Sequence, residues 1–128
     1  SALSDADFAH MRHLTETMKA AIANHEVTEY IALNREFHLH IYNSLNNQYL
    51  IQVIQTLWER SELYRYRYLA VTHDIDAIYA EHMAIIEACE ARDSMGAREA
   101  AQAHIQHART GLRSHFEDED KTTKAIND

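Results

Sequence analysis

Residues 27–45 read VTEYIALNREFHLHIYNSL. Val27, Ile31, Asn34, His38, Ile41, Tyr42 and Leu45 recur at the spacing of one face of an α-helix, which turns once in about 3.6 residues. The row is apolar except at Asn34 and His38. These stand four residues apart, so their side chains project from the same face and can converge on one point. Such a helix gains most of its stability by packing its apolar face, so the flanking sequence decides whether this is a helical bundle.

Upstream, Ser4-Asp-Ala-Asp7 reads as an N-cap with an acidic residue three positions on, followed by the stripe Phe8, Met11, Leu14, Met18 and Ile22, which Asn24-His25 interrupts. Downstream, Asn46-Asn47 can supply a left-handed residue that ends the helix. Gln48 to about Leu69 then predicts a third helix with Leu50, Val53, Ile54, Leu57, Ser61, Tyr64 and Tyr68 inside. A turn around Thr72 to Asp76 leads to a fourth, with Ile75, Ile78, Tyr79, His82, Ile85, Ile86 and Cys89 on its inner face. Asp93 is a suitable N-cap for a fifth, whose stripe Ala97, Ala100, Ala101, His104, Ala108 and Gly111 is small enough for a neighbour to approach closely.

Beyond Phe116 the run Glu-Asp-Glu-Asp-Lys-Thr-Thr-Lys lacks periodicity, so residues 117–128 are expected to form a flexible acidic tail. That leaves one all-α antiparallel bundle of about five helices over residues 1–116. Two Gly and no Pro leave little material for hairpins, and 128 residues suffice for one core.

Twenty acidic residues against 12 Lys and Arg give a net charge of −8, which repels a phosphate backbone. DNA contact is therefore not expected from this chain. Cys89, the lone cysteine, has no internal disulfide partner, and no apolar run is long enough to span a bilayer; a cytoplasmic, reducing setting follows, with no membrane partner.

Of ten histidines, His10, His13, His25, His40, His73 and His115 fall off the stripes or near helix ends and read as solvated surface residues. His38, His82 and His104 each lie mid-stripe on a different helix. A buried imidazole must satisfy its ring nitrogens, and three facing one core do so by sharing a cation or by separate hydrogen bonds to carbonyls. Three imidazoles with the Asn34 amide oxygen would suit Zn²⁺, Ni²⁺ or another first-row divalent ion, leaving positions open for water or a ligand. With neutral protein ligands the metal keeps its double charge and favours a carboxylate. Arg60 and Arg65, flanking the third stripe with Tyr64 between them, are candidate contacts to such an acid, although a helical Arg at a stripe edge more often snorkels to the surface.

The order Asn34-Arg-Glu-Phe37-His38 with Ile41, then Asn47-Gln-Tyr-Leu50, Glu81-His82 with Ile86, Asp93, Ala97 and His104-Ile105 resembles the FadR C-terminal (FCD) effector domain of GntR-type transcription regulators, from about Ser4 to Phe116. The resemblance implies a helical bundle holding a metal through Asn34, His38, His82 and His104, with a small organic acid against it. It departs from the common pattern at Asn34, where many relatives carry Asp, a stronger donor. It further implies homodimers and a separate winged-helix DNA-binding domain that is not among these residues.

Two other readings compete. A metal-dependent hydrolase could use the open metal position, but the histidine stripes supply no buried Glu as general base and no Glu-x-x-His pair of the di-iron type. A helical interaction module with structural histidines predicts neither metal nor an enclosed polar pocket.

Overall fold

The structure, a computed structural model, describes residues 3–71 and 74–127; for residues 70, 71 and 122–127 only the backbone is considered. Thr72 and His73 lie outside the described residues, and with them part of the turn expected there and the surface placement of His73. Five helices follow in order: α1 (Asp5–Ala23), α2 (Val27–Asn43), α3 (Gln48–Val71), α4 (Ile75–Glu90) and α5 (Ser94–Asn127), with no strand among the described residues.

Local chemistry sets the helix ends. Ser4 and Asp7 form a reciprocal capping box: Asp7 N–H donates to Ser4 Oγ at 3.3 Å and Ser4 N–H to Asp7 Oδ2 at 2.6 Å. Asn47 accepts from Leu50 N–H, and Asp93 from Gly96 N–H, at the starts of α3 and α5. With no glycine available, α1 and α4 stop at His25 (φ 61) and Arg92 (φ 58), each in the left-handed region. At both ends two backbone bonds close back onto the last turn: His25 to Ile22 with Glu26 to Ala21, and Arg92 to Cys89 with Asp93 to Ala88. Asn46 (φ 52) does the same duty after α2, as the sequence predicts.

Packing closes a ring. α1 lies on α2 and α4, α4 on α5, α5 on α3, and α3 on α2; among the described residues no other pair of helix backbones comes close, and α2 meets α4 through side chains alone. Phe8, Met11, Leu14 and Met18 of α1 meet Tyr30, Ile31 and Phe37 of α2 and Ile86 of α4 in one buried cluster, each large side chain stabilising the fold by roughly 1.5–3 kcal/mol. Across the middle of the ring, α2 and α5 have no backbone contact, and side chains bridge the space between them.

Two expectations change. The inward strip of α3 is buried Ile51 followed by half-buried Ile54, Trp58, Ser61, Arg65 and Tyr68, rotated by about one residue from the predicted one, so that Leu50, Val53, Leu57 and Tyr64 are exposed. This helix is apolar on two adjacent faces, and having only α2 and α5 as neighbours it can bury just one of them. Beyond Phe116 the backbone is helical to Asn127, where a frayed tail was expected. The segment lacks Gly and Pro, and Arg113–Glu117 and Lys121–Asp118 pairs at helical spacing offset part of its acidic repulsion. Gly111 of α5 is needed where it stands, because a Cβ there would overlap the Tyr68 ring of α3.

Candidate metal centre

His38 of α2, His82 of α4 and His104 of α5 are buried and converge inside the ring, with a nitrogen from each ring within 4.8 Å of the others. His38 Nε2 and His104 Nε2 face each other at 3.3 Å. Phe37 stacks on His82 at 4.3 Å between ring centroids, and Trp58 meets His38 edge-on, which shuts water out on those sides.

This donor set fits a divalent cation. His82 Nε2 is buried with no hydrogen-bond partner, which leaves a polar atom unsatisfied at a cost of about 1–3 kcal/mol unless something binds it. Burial, with the neighbouring imidazoles adding to it, lowers the pKa of His38 to about 3 and of His82 to about 2. Both rings are therefore neutral at physiological pH, the form in which imidazole binds a metal. Asn34, half-buried one turn before His38, lines both cavities that reach His104.

Around the triad stands a set of groups to which sequence reading gave no role. His104 Nδ1 donates to Glu81 Oε2 at 2.7 Å, the other Glu81 oxygen lies 2.5 Å from His107 Nδ1, and His107 Nε2 is 3.2 Å from Asp74. The histidine stripes themselves supply no buried Glu, as expected, but half-buried Glu81, 22% exposed, is turned onto two imidazoles from beside them. It sits beside the stripe of α4 and not within it, which is why periodicity passed over it. His107, one turn beyond His104, was the available signal. Among the surface histidines, His10 and His40 are also engaged, with Glu36 at 3.0 Å and Asp7 at 2.9 Å.

Two cavities meet at the centre. A smaller, partly open one of about 80 Å³ is bounded by Tyr30, Asn34, Arg65, Tyr68, Glu81 and His104. An open groove of about 800 Å³ runs between α3 and α5, and Asn34, Arg65 and His104 belong to both. Of the expected acid contacts, Arg65 lines both cavities, Tyr64 lines the groove while 54% exposed, and Arg60 is exposed and lines neither. Arg65 stacks over Trp58 and donates to its carbonyl at 3.1 Å, yet its Nε is buried without a partner. Among the described residues no carboxylate forms an ion pair with Arg65, and burial lowers its pKa from the ordinary arginine value.

The FCD domain profile matches residues 1–107, a span that holds all three buried histidines, Glu81 and Arg65. The chain belongs to the FCD family. FCD domains are regulatory, effector-sensing units of GntR-type transcription regulators, and in this FCD domain two cavities adjoin the histidine centre. No characterised protein and no solved structure matches the chain significantly.

Proposed function

We propose that this FCD domain senses a carboxylate through a divalent first-row cation, zinc or nickel, held by His38, His82 and His104 with Asn34 alongside. The observation that carries the reading is the unpartnered His82 Nε2, buried beside the facing His38 and His104 nitrogens. A cation there supplies positive charge to an anion, and Arg65 adds a second, permanent one from the wall of the same cavities. Glu81 is engaged by two imidazoles, which supports a binding role over a general-base role and a sensor over a hydrolase.

In the whole regulator, an effector preferring one arrangement of the bundle would shift the geometry of a homodimer and of winged-helix domains on the DNA, in the cytoplasm. Elemental analysis of protein purified without chelator tests the centre: about one zinc or nickel per chain is expected, lost on replacing His82 by Ala. A metal-free protein that also binds no zinc in titration would leave three structural histidines and end this reading.

A further inference from the structure

We infer that the effector is a monocarboxylate with an apolar body, an aryl or medium-chain alkyl acid, whose head lies at the histidine centre and whose body lies in the groove between α3 and α5. The inference rests on the carboxylate reading above and names the class of acid. Between His104 and Phe116 the groove follows α5 for about 18 Å at 1.5 Å per residue. Its walls past the centre are mostly apolar, with Ile54, Leu57, Trp58, Leu112 and Phe116, and Tyr64, Arg109 and Arg113 stand among them. An alkyl or aryl body seated there would cover side chains such as Leu57 and Ile105, now 60% and 57% exposed, a gain that a hydroxylated body does not make. Exposed apolar side chains gathered along one groove mark a surface that something apolar covers.

Charge is arranged to match. Positive charge at the inner end comes from Arg65, which has no ion-pair partner among the described residues, while Glu81 is engaged by His104 and His107. Farther along, Arg113 is paired with Glu117 and Arg109 is exposed, so the outer groove offers a second carboxylate no buried cation. One anionic head and one apolar body match this arrangement better than a dicarboxylate or a sugar acid.

Calorimetric titration of the zinc-loaded chain with acetate, butanoate, hexanoate, octanoate, benzoate, adipate and gluconate tests this. Affinity should rise about fourfold per methylene from acetate until the groove is filled, with adipate and gluconate weaker than hexanoate. Leu57→Asp, a change at an exposed position, should abolish the chain-length dependence while acetate binding survives. If acetate binds but the series is flat, or gluconate is preferred, this inference falls and the carboxylate reading stands. Should no acid bind to zinc-loaded protein, both fall. A dimer broken by Leu57→Asp and unaffected by octanoate would assign the groove to a second copy and overturn the inference.

Discussion

Glu81 Oε2 accepts from His104 Nδ1 at 2.7 Å, and this leaves His104 Nε2 as the nitrogen that faces His38 at 3.3 Å. A neutral imidazole has one N–H and one lone pair, so a carboxylate on the Nδ1 side keeps the lone pair on the side of the triad. Glu81→Gln is expected to weaken zinc binding by about 10–100-fold, measured by competition with a chelating dye. Unchanged affinity would show that Glu81 does not orient the ring.

Metal should couple to folding, because the three histidines meet only in the folded ring. Free zinc at 100 times its dissociation constant would add about 2.7 kcal/mol of stability, so chelator should lower the melting temperature. In His82→Ala the melting temperature should no longer respond to chelator. Equal melting of the parent with and without chelator would contradict a bound ion.

The metal-free protein should lose stability in mild acid. Burial holds the pKa of His38 at about 3 and that of His82 at about 2, against about 6.5 for the same side chains in the unfolded chain. Below pH 6.5 the unfolded chain takes up protons that the folded one refuses. This stabilisation is complete above about pH 6.5 and shrinks as pH falls toward the folded values, by up to about 1.4 kcal/mol per pH unit for each ring. Chelator-treated protein should therefore melt at a steady temperature from about pH 8 to 7 and progressively lower from about 6.5 to 5, before most carboxylates titrate. A flat profile over that range would mean that the two rings are not buried neutral.

His25 ends α1 at φ 61, a conformation that costs a residue with a Cβ about 1 kcal/mol or more. Its side chain is exposed, so little is lost with it. His25→Gly should raise stability by about 1 kcal/mol in urea denaturation, whereas a decrease would point to a side-chain contact.

Helix number, order and starts were legible because they are local: the Ser4 cap, the Asn46 stop and the Asp93 cap are read from neighbouring residues. Phe8 to Met18 and His82 to Ile86 were legible as core because each lies on a helix with one apolar face. In α3 two adjacent faces are apolar, and the choice between Leu57 and Trp58 as the inward residue depends on which neighbours arrive. Periodicity holds no information on that. Nor does it report Glu81, whose partners are 23 and 26 residues away on α5.

Asn34 is the remaining group whose replacement separates the metal's role from the effector's. It stands four residues before His38 on α2 and lines both cavities with His104 and Arg65. An amide oxygen is a neutral donor, so a cation it helps to hold keeps its whole double charge for an incoming anion. In Asn34→Asp the carboxylate binds the cation more strongly and cancels part of that charge. Zinc affinity should rise, and the affinity of the zinc-loaded protein for acetate should fall, because acetate then meets a less positive centre beside a fixed negative one. The two changes should be opposite in sign and measurable in one calorimeter. A variant in which neither moves would take Asn34 out of the centre, whereas a fall in both would identify Asn34 as a residue that packs the site and does not bind the metal.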